Sequence, residues 1–317
     1  MKTSPHRARC ASPLALALIL CAAGCGGEGP GNDEASSGDA AQGSGNGSGS
    51  GQPSGAGGSS SSNGSGSGSG AGGTMAGPSD KRIIGYFPAW GIYEREFNVA
   101  DIDADKVTHI NYAFANVVGG ECALGDPWGD VEKPMGDDTL ETPLRGNFHQ
   151  LQILKENHPG LKTLISVGGW TWSSGFSALA MTAASRAKFA TSCVKFMKEY
   201  GFDGIDIDWE YPVGGGLDSG APEDRQNFTL LLEELRATLD AQGAADGDAH
   251  YLLSIAAPAG PAIIANLEVD KIHPALDYIN VTTYDFHGTW ETSTNFNAPL
   301  YAASDDPSPA VRSKLAP

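Results

Sequence analysis

The sequence predicts an α/β fold, an incomplete (β/α)8 TIM barrel with about six of its eight strands present. Three observations carry that expectation. Along residues 80–317, short β-branched apolar runs alternate with amphipathic stretches of helical period, the pattern of a parallel sheet with crossover helices. Most runs close on aromatic, polar or glycine residues, as in Phe87-Pro88-Ala89-Trp90, Gly168-Gly169-Trp170, Asp208-Trp209-Glu210-Tyr211 and Tyr284-Asp285-Phe286. In a barrel the strand ends converge on one mouth, where chemistry sits. Finally, no GxGxxG or P-loop follows the first run, and chemistry-bearing residues close most runs rather than one switch point, which counts against a doubly wound open sheet.

The strands, in order, are RIIGYFPAW (82–90), VTHINYAFANV (107–117), KTLISVGGW (162–170), FDGIDIDWEY (202–211), YLLSIAAPA (251–259) and YINVTTYDF (278–286). Their length and β-branched content mark buried strands. Three helix patterns lie between them. Asn147 to Asn157 carries Phe148, Leu151, Ile153 and Leu154. Ser185 to Tyr200 opens on Ser185 as N-cap and stops before Gly201, a start and stop signal of the usual kind. Asp224 to Gln242 places Phe228, Leu231, Leu232, Leu235 and Leu239 on one face and is followed by Gly243. After Phe286 the sequence reads as loop, with Asp305-Asp306-Pro307-Ser308-Pro309 and a short tail. A six-stranded barrel leaves two open edges and an unfinished core. The chain is therefore expected to be a truncated form, poorly stable and open to loss of activity.

Ahead of the barrel the composition changes. Lys2, Arg7 and Arg9 precede an apolar run from Ala11 to Ala23, the layout of a secretion signal. The run is too short to cross a bilayer core as a helix. It ends Ala22-Ala23-Gly24-Cys25, which resembles the bacterial lipobox, although Ala22 stands where Leu is commonest. Residues 1–25 are read as a signal with Cys25 as the lipid site. Residues 26–79 are read as a disordered linker, because 20 of the 43 glycines fall between Gly26 and Gly77 and almost nothing apolar offsets the entropy of ordering. A coil of that length has a reach of roughly 40 Å. The expected location is secreted or cell-surface, tethered to a membrane by lipid.

The net charge is −18, which argues against nucleic-acid binding, since phosphate contact needs a basic face. It also disfavours anionic membrane, so membrane contact is expected only through Cys25. Beyond the leader, two cysteines remain, Cys122 and Cys193. They make neither a disulfide framework nor a zinc site. Cys193 shares helical spacing with Phe189, Met197 and Tyr200 and reads as a buried thiol.

The chemistry concentrates in Phe202-Asp203-Gly204-Ile205-Asp206-Ile207-Asp208-Trp209-Glu210. Side chains alternate faces along a strand, so Asp206, Asp208 and Glu210 share one face, roughly 6.6 Å apart, and Ile205, Ile207 and Trp209 the other. The apolar face needs cover from helices, so the acids must point into the barrel. Three confined carboxylates cannot all ionise cheaply, and at least one is pushed toward its protonated form. A carboxyl held protonated near neutral pH is what a general acid requires. Glu210 is the longest and nearest the mouth. Alternating acids also suit Mg²⁺ or Ca²⁺, but no His or Asn cluster stands beside them, and no metal or cofactor is expected.

FDGIDIDWE fills the signature of glycoside hydrolase family 18, the chitinases, and the resemblance extends over GYFPAWGIYEREF, KVTHINYAFANV, LKTLISVGGWTWSSGFS, PEDRQNFTLLLEELR and YINVTTYDFHGTW. The chain resembles a bacterial secreted chitinase. The resemblance implies that Glu210 donates a proton to the glycosidic oxygen, and that the substrate's own acetamido oxygen attacks the anomeric carbon. Asp208 would orient the acetamide and stabilise the resulting cation, sharing its proton first with Asp206 and then with Glu210. Tyr284 would donate to the acetamide oxygen and Asp285 would line the same pocket. Trp170, Tyr86, Phe114, Trp290, Trp90 and Trp172 would offer stacking faces to sugars. Ser166, Gly168 and Gly169 match the family's second motif, with close packing as their main part.

The partner implied is chitin or an N-acetylglucosamine oligosaccharide, met by a monomer. Thr282 stands where this family usually has Met. The family's sequence continues with two more strands, which carry a Tyr, an Arg and a Trp of the cleft. Two other functions stay open at this point. One is chitooligosaccharide binding without turnover, against which the presence of Glu210 counts. The other is hydrolysis of the chitobiose core of N-glycans by the same chemistry.

Overall fold

A computed structural model describes residues 81–301. The signal segment 1–25 with Cys25, and the linker 26–79, lie outside the described residues. Six parallel strands appear where the apolar runs predict them: β1 (Ile84–Pro88), β2 (His109–Val118), β4 (Lys162–Gly168), β5 (Gly204–Asp208), β6 (Leu252–Pro258) and β7 (Tyr278–Thr282). They hydrogen-bond in the order β1-β2-β4-β5-β6-β7, each neighbour parallel. The sheet curls into part of a (β/α)8 barrel. Among the described residues β1 and β7 are its edges.

One strand has no counterpart in the sequence reading. β3 (Glu121–Ala123) folds back antiparallel on the end of β2, through a turn at Gly119 and Gly120 that both take positive φ. Three residues are too few for a periodic signal.

Helices pack on the outside: α1 (Gly146–Asn157), the short α2 (Phe176–Ala180), α3 (Ala183–Tyr200) and α4 (Asp224–Ala245). Two predicted boundaries move. The N-cap of α3 is Thr182, whose side chain accepts from the Ser185 amide at 3.1 Å, while the Ser185 hydroxyl answers the Thr182 amide. Ser185 is thus the third residue of a capping box rather than the cap, and the reciprocal pair satisfies two helix-end donors. The C-terminus falls at Gly201 as expected, at φ 78°. α4 runs through Gly243 to Ala245. Gly243 is there for proximity: a Cβ would lie 2.0 Å from the Ala249 carbonyl oxygen.

The core lies between sheet and helices. Ile205, Ile207 and Trp209 are buried on the outer face of β5. Trp209 stacks on Phe176 at 5.4 Å and meets Phe228 edge-on at 5.5 Å. Burial of this stripe fixes the register, since a one-residue slip would turn the acids into the helices. Asp203, one residue before the strand, accepts from the Thr163 amide at 2.8 Å and pairs with Lys155 at 2.6 Å. It ties the entry of β5 to β4.

Candidate active site

The inner face of β5 presents Asp206 and Asp208, with Glu210 just beyond the strand end. Asp206 is fully buried and accepts four hydrogen bonds: from Ser166 at 2.7 Å, Ser254 at 2.5 Å, Tyr86 at 2.9 Å and Asn280 at 3.3 Å. The two serines are its register partners on β4 and β6, so the parallel ladder itself places a hydroxyl on either side. Burial pushes Asp206 above the usual carboxylate range, and the four donors pull against that shift. Such a carboxylate is held in one orientation by its neighbours on four strands.

Asp208 is different. It is buried, and among the described residues no side chain or amide donates to its carboxylate. Burial, then the charges of Glu210 and Asp206, drive it well above the ordinary aspartate value. An acid without donors between two others takes up a proton. Glu210 is half-buried and is also raised, first by burial and further by Asp285, with a hydrogen bond from Tyr211 opposing. The three acids therefore differ by environment: one fixed by donors, one buried in the middle without them, one at the mouth.

The backbone around Glu210 is built by two contacts. The Glu210 amide donates to Ser173 Oγ at 2.9 Å, and that hydroxyl donates to the Gly169 carbonyl at 2.8 Å, with the Asp208 carbonyl 3.2 Å away. Gly168 takes φ 113°, and a Cβ there would lie 2.3 Å from the Asp208 carbonyl oxygen. Gly169 takes φ 82°, and its bare Cα lies against the Phe114 ring. Packing at the strand end is thus a physical requirement of both glycines. The peptide bonds Ala113–Phe114 and Glu210–Tyr211 are cis.

The remaining predicted residues divide. Tyr86 binds Asp206 directly. Tyr284 is half-exposed, and burial together with the charges of Asp208, Glu210, Asp285 and Asp206 raises its hydroxyl above the usual tyrosine value. Asp285 acts on Glu210 through its charge and accepts from Asn297 at 2.8 Å. Phe114 is stacked with the exposed Trp90 at 6.1 Å. Trp170 and Trp290 are exposed, and among the described residues no hydrogen bond joins either ring to the three acids; the Trp290 ring folds over Gly288. Thr282 spends its hydroxyl on the Ala257 carbonyl at 3.1 Å.

Sequence reasoning missed Ser254, Asn280, Ser173 and Tyr211. Ser254 and Asn280 had a signal, a lone polar residue inside an apolar strand. Ser173 had none, since its value depends on two other strand ends.

A curled parallel sheet with three acids in a row along and just beyond one strand has the layout of a (β/α)-barrel site. The chain belongs to the glycosyl hydrolases family 18, whose pattern matches residues 82–316. It is 49% identical over 260 residues to "Chitinase A1" of Niallia circulans, an alignment covering 72% of this chain and 37% of that protein. It is 44% identical over 224 residues to "Endochitinase 1" of Metarhizium anisopliae, covering 68% and 51% of the two chains. It thus spans a third to a half of the length of these curated relatives. Among solved structures it resembles chitinase ChiA74 from Bacillus thuringiensis, with TM-score 0.67, 44% identity and coverage of 71% and 43%. The catalytic domain of psychrophilic chitinase B from Arthrobacter TAD20 gives TM-score 0.68 and 37% identity, covering 74% and 68%.

Proposed function

We propose that this chain carries the acid row of a chitinase and cleaves β-1,4 linkages between N-acetylglucosamine units with retention, by substrate assistance. The observation that carries the reading is the placement of buried Asp208, to which no side chain or amide donates among the described residues, between the fixed Asp206 and the mouth residue Glu210. Glu210 gives its proton to the glycosidic oxygen. The substrate's acetamido oxygen attacks the anomeric carbon, and the C–O bond to the leaving sugar breaks. Asp208 turns to hold the acetamide N–H and steadies the cation, sharing its proton along the coupled row. Tyr284 donates to the acetamide oxygen. Glu210, now ionised, takes a proton from water as the water opens the ring intermediate.

The test is product analysis with the full chain on N-acetylglucosamine oligomers and on an N-glycosylated protein. Release of reducing ends from the oligomers alone supports the reading. Release only from the glycoprotein would move the substrate to N-glycans, and binding without release would make the chain a lectin-like binder.

The Ala22-Ala23-Gly24-Cys25 run supports a further part of the proposal: lipid attachment at Cys25 and a secreted or cell-surface location. Cys25→Ser should move the expressed protein from the membrane fraction to the soluble one. Equal partition of both forms would count against the anchor.

A further inference from the structure

The hairpin of β2 and β3 lies along α3, and this brings together two cysteines that stand 71 positions apart in the sequence. The Cys122 amide donates to Ser192 Oγ at 2.9 Å. Cys193, the next residue on the helix, is buried in the core against which Cys122 packs, and the two thiols act on each other electrostatically. One turn earlier on α3, Lys188 donates to the Gly119 carbonyl at 2.8 Å and pairs with Glu121 at 3.1 Å. The hairpin is thus registered on the helix by Ser192 and Lys188. Both thiols are free; Cys193 is fully buried and Cys122 is partly exposed. No third His, Cys, Asp or Glu joins them in a metal-binding group among the described residues.

We propose that Cys122 and Cys193 are a dithiol–disulfide couple, closed by a small-molecule or protein disulfide, that fastens the β2–β3 hairpin to α3. The chemistry follows from the unequal exposure. Cys122, the sulfur an oxidant can reach, attacks as thiolate one sulfur of the incoming disulfide. A mixed disulfide forms and the first thiolate leaves. Cys193 then gives up its proton and attacks the Cys122 sulfur, expelling the second thiolate. The two protein thiols are oxidised, the external disulfide is reduced to two thiols, and the protein loses two hydrogens. Burial raises Cys193 well above the usual thiol value, so it resolves the mixed disulfide rather than starting the exchange. The inference is independent of the substrate reading.

The test uses the full chain in mixtures of reduced and oxidised glutathione, quenched with acid, alkylated and mapped by mass spectrometry without reduction. With oxidised glutathione in excess, the Cys122 and Cys193 peptides should appear joined and two hydrogens lighter. The thermal midpoint should rise by about 5 °C. Cys193→Ser should instead hold glutathione at Cys122. Should that variant fail to fold, Cys122→Ser serves: its Cys193 must then stay a free thiol. The proposal is overturned if the oxidised protein carries glutathione at Cys122 beside an alkylatable Cys193. It is equally overturned if Cys122 pairs with Cys10, Cys21 or Cys25, or if both thiols stay reduced.

Discussion

The hydroxyl of Tyr86 on β1 donates to Asp206 on β5 at 2.9 Å, across the inside of the curled sheet. Asn280 of β7 donates to both, to the Tyr86 oxygen at 3.1 Å and to Asp206 at 3.3 Å. The two edge strands of the described sheet therefore meet at the innermost acid. Asp206 is set by strands distant in sequence, and the acid row inherits its position from it.

Removing the Tyr86 hydroxyl tests that dependence. Tyr86→Phe deletes a donor that lowers the Asp206 pKa, so the Asp206 carboxyl titrates higher in the variant. The acidic limb of kcat/KM should move to higher pH, and kcat should fall about tenfold, the worth of one hydrogen bond to a charged group. A pH–rate profile on a chromogenic oligomer reads both. An unmoved limb would mean that Asp206 does not take part in the coupled titration.

Ser173 holds the backbone at Glu210, the proposed general acid. Ser173→Ala removes the acceptor of the Glu210 amide and the tie to the Gly169 carbonyl. Misplacing a general acid slightly costs rate more than binding. The expected result is a kcat lower by about tenfold with KM within a factor of about two. A rise in KM with unchanged kcat would assign Ser173 to substrate binding instead.

Gly168→Ala should be severely destabilising. Its Cβ would lie 2.3 Å from the Asp208 carbonyl oxygen, on a residue at φ 113°. Strain and overlap together should cost about 3 kcal/mol or more, read by denaturant unfolding. A loss under about 1 kcal/mol would show that the strand ends can part.

A buried acid outside the row, Asp130, contributes to the dependence of stability on pH. Asp130 is fully buried in the segment after β3, where it accepts from Tyr112 at 2.5 Å and from the Asp126 amide at 3.0 Å. Burial, the largest effect, lifts its pKa from 3.8 to about 6 against the pull of those donors. Between these two values the folded chain holds a proton that the unfolded chain has released. Stability therefore falls as pH rises from about 4 to about 6, by about 3 kcal/mol, and this contribution is level above that. Asp130→Asn should flatten this part of the curve, whatever its absolute stability. Parallel pH curves for the two proteins would contradict the assignment.

How much of this was legible in the sequence follows from where each signal resides. The six strands and the acid row declare themselves through local alternation, because one strand carries both Asp206 and the buried Ile205 and Ile207. The β3 hairpin does not, since its three residues derive their pairing from β2. Ser166, Ser254 and Asn280 lie on three strands and meet only at Asp206, a relation that register creates and no single run contains. The α3 cap shows the same limit on a smaller scale. Thr182 and Ser185 are both capable, and only the reciprocal bonds between them decide which is the cap. The aromatic candidates divided for a like reason. Phe114 gains a partner in Trp90, while Trp170 and Trp290 stay exposed.

The central claim is that Glu210 is the acid that hands its proton to the leaving sugar. Glu210→Gln keeps the size of the side chain and its place beside Tyr211 but removes the transferable proton. The measurement is hydrolysis of a chromogenic N-acetylglucosamine oligomer by this variant, with its thermal midpoint taken alongside. The account predicts a fall in kcat of about a thousandfold with the midpoint little changed. Turnover at the unsubstituted rate by a folded Glu210→Gln protein would contradict it.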